Sequence, residues 1–329
     1  MQESEKQANC QFCSNTGQYC SEIDMGNGFC FWHDPNFDKK GMDLADKLER
    51  YVAKGGITQG LQLKYANLSG INLVKKNSNT GYDFSHSNFY RADLSHAHLF
   101  SIKLNHANLM KANFNEANLH CAQLEQANLL GIKLNNTKID NIQLGKHINQ
   151  EELAATLAKQ KDTHKANELY LQAEQIYRDI RRAAENQGIF ELASQCMYKE
   201  ITMRRKQMAW FSKDRISSKI LDLFCGYGEK PLNIIACSLI LIFSCALAYF
   251  LFGFYQGIYL IQFNSQLSFA DNFHHFLLSL YYSFLAFTTL GFDNLTPIGW
   301  SKVVTSLQAF LGSFIMALFV LVFVKKMSR

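Results

Sequence analysis

From residue 61 to 144 an apolar side chain returns at every fifth position. The series runs Leu63, Leu68, Leu73, then Phe84, Phe89, Leu94, Leu99, Leu104, Leu109, Phe114, Leu119, Leu124, Leu129 and Leu134, with Ile139 and Leu144 closing it. Alanine often sits two residues earlier, as at Ala92, Ala97, Ala107, Ala112, Ala117, Ala122 and Ala127, and Asn or Asp commonly lies between. A helix repeats near 3.6 and a strand at 2, so neither gives a period of five. A coil with four five-residue units per turn does, because each fifth residue then points to the axis. The phase slips once, between Leu73 and Phe84, which predicts a bulge or loop over Lys75–Thr80.

Two other rhythms follow. Residues 148–222 are rich in Ala, Glu, Gln, Lys and Arg and contain no proline. Helical spacing predicts helices over Glu151–Lys161, His164–Glu185 and Phe190–Ser212, with Asn186-Gln187-Gly188 as a turn. The outline is similar to a tetratricopeptide-type hairpin and is expected to pack between the coil and the C-terminal segment. Trp210, Phe211, Ile216, Ile220, Leu221, Leu223 and Phe224 then alternate with Lys213, Arg215 and Lys219, which predicts an amphipathic helix at a membrane face. Beyond it lie two uncharged apolar runs, 231–254 and 303–324. At about 1.5 Å per residue each is long enough to cross a hydrocarbon core of about 30 Å. The competing reading of such runs is a pair of buried core helices. Lys213, Arg215, Lys219 and Lys230 precede the first run and Lys325, Lys326 and Arg329 follow the second, with no Lys or Arg between Lys230 and Lys302. The positive-inside rule therefore places both termini in the cytoplasm, in a multi-pass protein of the plasma (inner) membrane.

Between the runs, Phe273–Phe287 predicts a helix too short to span, with a pore-type segment over 273–288 that leads into Thr288-Thr289-Leu290-Gly291-Phe292-Asp293-Asn294. Non-helical backbone at membrane depth is tolerated only where protein or a water-filled path surrounds it. The stretch LYYSFLAFTTLGFDNLTP resembles the pore helix and selectivity filter of potassium channels. Tyr281, Tyr282 and Ser283 fall on that family's aromatic pair and serine, Thr288 and Thr289 on its two threonines, Leu290 on its valine, Gly291 on its first glycine and Phe292 on its tyrosine. The resemblance covers about residues 231–329. It implies a homotetramer with one filter strand per chain and K+ as the permeant ion, held by backbone carbonyls that replace its hydration shell. Thr289 would add the innermost oxygen, and Gly291 has the backbone freedom to aim its carbonyl inward. The sequence departs from the pattern at Asp293, which takes the second glycine position, at Asn294, which takes the acidic one, and at Leu285, where many channels carry glutamate. A non-selective monovalent cation channel is therefore the alternative. Gly312 is a candidate gating hinge, or else a small residue for close helix packing.

The five-residue pattern resembles the pentapeptide-repeat family, whose fold is a right-handed quadrilateral β-helix. The expected fold class is thus a multidomain membrane protein: this β-helix, an α-helical hairpin and a two-span α-helical pore domain. Some pentapeptide proteins imitate DNA. Eight Lys/Arg against five Asp/Glu over 61–144 argue against that here, and the net charge of +5 is too modest to suggest a nucleic-acid partner. His86 and His106 lie one full coil turn apart and are expected to stack.

Four of nine cysteines lie within residues 10–30. Reduced cytoplasmic thiols disfavour disulfides. Cys13, Cys20, Cys30 and His33 are read as a tetrahedral structural zinc site similar to small zinc knuckles, with Cys10 as the alternative ligand; unbound or redox-active thiols are the competing reading. No catalytic constellation appears. The expected order is a zinc-knuckle-like segment at 1–44, a short helical linker at 45–60, the coil at 61–144, a helical connector at 145–228 and the pore domain at 229–329. The function expected of this order is a cation channel regulated by its cytoplasmic parts, where a ligand or protein partner could act. The rival of a different class is a coil scaffold anchored by a degenerate pore.

Overall fold

The structure, a computed structural model, describes residues 8–76, 78–290 and 294–327. The chain forms two compact units, 1–210 and 211–329.

In the first unit, parallel bridges link residues twenty apart: Asp83 to Lys103, Asn88 to Asn108, Asp93 to Asn113, and onward to Gln123 with Gln143. Twenty residues are four five-residue units, so the sequence period becomes one turn of coil. Earlier bridges join residues 26 apart, as Gln62 to Asn88 and Asn67 to Asp93. The six extra residues are those of the phase slip at 75–80. Each unit closes a tight turn, as where the Ala97 amide donates to the Leu94 carbonyl at 3.3 Å. The third turn residue takes a positive φ, 57° at His96 and 59° at His106. The bridge residue explains the recurrent Asn and Asp. Its side-chain oxygen accepts from the amide two residues on, as Asp93 does from Ser95 at 3.0 Å, and the Asn113 amide donates to Asp93 on the previous turn at 2.9 Å. The apolar fifth residues from Leu63 to Leu129 and the alanines are buried together, Phe84, Leu109, Ala112 and Phe114 fully so, while Leu134 and Leu144 near the far end are half-buried.

Both ends of this stack are covered. At the start, a segment containing helix α1 (Ala45–Ala53) lies on the first turn; the Gln62 amide donates to the Trp32 carbonyl at 2.8 Å, and Asp43 bridges to Asn67. At the far end come helices α2 (Asn149–Lys159), α3 (Thr163–Asn186) and α4 (Phe190–Gln207). Ile176 and Ile180 of α3 join the coil's core cluster, and Gln150 donates to Asn128 at 2.6 Å. The helical pair therefore seals the last turn of the coil. Helix α4 ends at Gln207 rather than Ser212, because Met208 is extended.

Buried acids tie the three helices together. Glu200 receives Arg181 at 2.8 Å and Arg178 at 3.1 Å, and Arg178 also pairs with Glu174. Glu151 receives the Tyr177 hydroxyl at 2.8 Å and Lys199 at 3.1 Å. Burial alone would raise both carboxyls, but these donors hold Glu151 and Glu200 below the usual carboxylate range.

In the second unit, helix α5 (Lys213–Cys225) precedes three longer helices: α6 (Pro231–Phe252), α7 (Phe269–Thr288) and α8 (Trp300–Met327). Three short strands, β1 (Phe254–Gln256), β2 (Tyr259–Ile261) and β3 (Leu295–Pro297), form an antiparallel sheet in the order β2-β1-β3. Phe254 faces Ile261 on one side and Pro297 on the other. This sheet joins the end of α6 to the start of α8. Helix α7 begins at Phe269, four residues before the expected Phe273. Ser268 caps it by accepting from the Asp271 amide at 3.2 Å while its hydroxyl donates to the Asp271 carboxylate at 2.7 Å. Helices α6 and α8 are long and apolar enough to cross a membrane, yet only 22% of each apolar window is buried. Core helices of a soluble fold would be mostly covered, so that reading does not fit these two.

The depressed carboxyls of Glu151 and Glu200 contribute stability that is fully present above their unfolded value of 4.5 and is lost as pH falls through the lower folded value. Thermal unfolding followed by circular dichroism is expected to be flat from neutral pH down to about pH 5 and to fall below it. Glu200→Gln should flatten part of that fall and cost roughly 1–3 kcal/mol at neutral pH, between exposed and buried pairs.

Candidate functional site

Two sites stand out, one in each unit. In the second, α7 packs against both α6 and α8. Along α7, Tyr282, Ser283, Ala286 and Phe287 are buried, while Phe273, Tyr281 and Phe284 are exposed. Tyr282 stacks on Phe254 of β1, with ring centroids 4.7 Å apart and an interplanar angle of 11°, and meets Tyr249 of α6 edge-on at 4.7 Å. The aromatic pair Tyr281–Tyr282 thus divides, one ring buried and one exposed. Ser283 donates to the Ile242 carbonyl of α6 at 2.7 Å.

The helix ends at Thr288, whose hydroxyl donates back to the Phe284 carbonyl at 2.9 Å. Thr289 then takes a left-handed conformation, φ 54°, and breaks the helix direction. Leu290 is exposed, and Asn294 returns to the chain with φ 60°. Gly291, Phe292 and Asp293, the remaining expected filter positions, lie outside the described residues. Leu285, the expected glutamate position, is a partly buried residue packed beside Tyr249 and Tyr282.

Gly312 lies within α8, and its place on that helix has a steric reason. A Cβ there would meet the Phe287 carbonyl oxygen at 2.3 Å. The glycine lets α8 lie directly against the last turn of α7. The close approach gives a packing reason for a small residue at 312.

The other site is the cysteine cluster. Cys10, Cys20, Cys30 and His33 are all buried, and their candidate ligand atoms lie within 4.8 Å of one another. Cys13 is not among them. It is exposed and bridges to Tyr19 through its backbone, so the alternative ligand Cys10 takes the place expected of Cys13. The pairing of residues 9 and 23 across the same small hairpin carries Cys10 inward. The Cys20 and Cys30 sulfurs are 3.9 Å apart, and His33 Nδ1 lies 3.2 Å from Cys30 Sγ and 3.9 Å from Cys10 Sγ. Sulfurs at about 2.3 Å from a tetrahedral zinc stand about 3.8 Å apart, so the donor set fits that metal. His33 Nε2 sits 3.1 Å from the Gln59 carbonyl, and the ring stacks on Phe12 at 4.0 Å. Donation from Nε2 to that carbonyl leaves Nδ1 free to ligate, the usual arrangement behind a metal-bound histidine. Burial pushes the Cys30 thiol up to about 12, raises Cys20, and lowers His33 to about 4. These shifts all disfavour the charged forms of Cys20, Cys30 and His33; a bound metal would supply the charge that favours thiolates.

His86 and His106 stack as expected, with centroids 4.8 Å apart and planes within 4°. They are exposed and make no further constellation.

Comparison with known proteins divides the chain in the same way. The pentapeptide-repeat family model matches residues 92–131, with 8 copies. The ion channel family model matches residues 235–329. The chain carries both a pentapeptide-repeat segment and an ion-channel segment. The two channel helices, their exposed apolar surfaces and this match agree on a membrane protein. Among solved structures, the chain is similar to a pentapeptide repeat protein from Nostoc Pcc 7120, at 23% identity over 31% of this chain and 96% of that one, with a TM-score of 0.20. It is also similar to one from the cyanobacterium Cyanothece 51142, at 24% identity over 32% and 97%, TM-score 0.16. A third, from the Arabidopsis thaliana thylakoid lumen, shows 23% identity over 31% and 76%, TM-score 0.12. No curated protein matches the chain.

Two outcomes follow from the geometry. Cys10→Ser should lower bound metal, read by elemental analysis of the purified protein, whereas Cys13→Ser should leave it at the wild-type level. Gly312→Ala should force α8 off the end of α7, costing roughly 1–3 kcal/mol of overpacking and lowering the thermal stability of the detergent-solubilised protein.

Proposed function

We propose that the chain is one subunit of a homotetrameric two-span cation channel of the plasma (inner) membrane, with both termini cytoplasmic and K+ as its leading permeant ion. The observation that supports it best is the form of the segment between the spans. A helix wedged between two outwardly apolar helices ends at Thr288-Thr289, where the backbone turns left-handed and leaves Leu290 exposed. A backbone that ceases to be helical between two spans needs a water-filled path or a protein surround. Four copies around an axis would provide both. The C-terminal dipole end of α7 would then favour a cation, and the carbonyls of 288–294 would replace its hydration shell.

The exposed apolar face of α5, with Ile216, Ile220 and Leu223, suits the inner membrane interface. We read 61–144 as a right-handed quadrilateral β-helix, the preceding segment as a structural zinc module held by Cys10, Cys20, Cys30 and His33, and this first unit as the regulator of the pore. The zinc would crosslink residues 10–33 and so cover the coil's first turn; it has no open position for catalysis. Any regulatory ligand must differ in affinity between closed and open states.

Reconstitution into liposomes tests the reading. Purified protein should release a K+ gradient, with the reversal potential near that of K+. A reversal potential between those of K+ and Na+ would favour the non-selective channel. Absence of flux under every condition would favour a membrane-anchored pentapeptide scaffold.

A further inference from the structure

One face of α8 carries polar residues at helical spacing: Ser301, Thr305 and Gln308, with Gly312 continuing the row one turn on. Every one of them meets α6, α7 or the residue that ends α6. Ser301 donates to the Gly253 carbonyl at 2.7 Å. Thr305 shares a hydrogen bond with the Tyr282 hydroxyl at 3.1 Å. Gln308 is 1% exposed and uses both ends of its amide. Its nitrogen lies 2.8 Å from the Ser283 hydroxyl and 3.0 Å from the Ser283 carbonyl, while its oxygen accepts from the Tyr249 hydroxyl at 2.7 Å. Ser283 passes the link on to the Ile242 carbonyl. One side chain therefore joins α6, α7 and α8. Gln308 and Gly312 are four residues apart on α8, and their partners Ser283 and Phe287 are four apart on α7, so the two helices meet in matched register.

We propose that Gln308 is a positioning residue for the helix end that leads into the filter: it fixes the C-terminal half of α7 to α8, so that the two helices shift as one body and the state of α8 is read where α7 ends, at Thr288 and Thr289. The proposal rests on the channel reading, in which α8 lines the pore. An amide buried among apolar helices has no water to turn to, so leaving it unpaired is costly and its three contacts hold one geometry. The link attaches five residues before Thr288, and the Gly312 contact attaches one residue before it. Little slack remains between α8 and the filter entrance. Sequence spacing alone hides this, because Gln308 is a single amide within a long apolar run.

The test is electrophysiology of three variants in planar bilayers, each checked for wild-type assembly by size exclusion. Gln308→Met keeps the volume and removes all three hydrogen bonds. Gln308→Glu keeps the acceptor for Tyr249 but offers at most one O–H in place of two N–H donors, so it cannot donate to both the Ser283 hydroxyl and the Ser283 carbonyl. Tyr249→Phe removes only the α6 arm. Gln308→Met and Gln308→Glu should change the K+/Na+ permeability ratio or the mean open time by at least about fivefold, the equilibrium worth of one buried hydrogen bond. Tyr249→Phe should move both far less, since it leaves α7 tied to α8. A purely structural role would lower the amount of assembled protein and leave permeability and open time unchanged. Wild-type values in an assembled Gln308→Met channel would overturn the proposal. If that variant fails to assemble, wild-type values in Gln308→Glu would overturn it. A wild-type protein that carries no current would instead refute the channel reading on which the proposal stands.

Discussion

A buried amide at membrane depth must be satisfied by protein, because lipid offers it no hydrogen bond. Gln308 meets that constraint with a carbonyl, a serine and a tyrosine drawn from two other helices. Helices α6, α7 and α8 could pack apolar surface on apolar surface in many registers, since lipid tails are as apolar as leucine and favour none strongly. The amide, the Thr305–Tyr282 bond and the close approach at Gly312 select one. The outward faces of α6 and α8 then remain apolar and uncovered within a single chain. That uncovered surface is what a bilayer and neighbouring copies would take up.

The first unit obeys a different rule. Each turn of the coil pairs with the turns on either side of it, so its stability is a sum of neighbour contacts and its two ends are the weak points. The Trp32 and α1 region protects one end, and α2 to α4 protect the other. At the first end the polar core is four potential metal ligands; at the second it is a set of buried acids held by arginine, lysine and tyrosine. Each cap thus gathers polar groups, a set that could hold a cation at one end and acids met by opposing side chains at the other.

Much of this was legible in the sequence. The five-residue period foretold the twenty-residue turn, and the slip at Leu73–Phe84 foretold the six inserted residues, because burial of every fifth side chain leaves no other register. The two spans were visible as long uncharged runs. What the sequence did not reveal depends on where side chains meet. The spacing of Cys10 and Cys13 is equally compatible with a metal, and only the pairing of residues 9 and 23 turns Cys10 inward and Cys13 outward. The early start of α7 was readable as Ser268 followed three residues later by Asp271, a cap signal masked by the polar residues around it. The β1–β3 sheet escaped notice because its three-residue strands are too short to show alternation. The partners of Gln308 are 25 and 59 residues distant, beyond any local pattern.

In the proposed tetramer the second unit reaches its working form only when several copies share an axis. The mass of the full-length protein in a membrane-mimicking detergent, measured by native mass spectrometry, tests it most directly. Four chains of 37.6 kDa in one particle are the expected result. A monomer that persists across detergents and protein concentrations would contradict it.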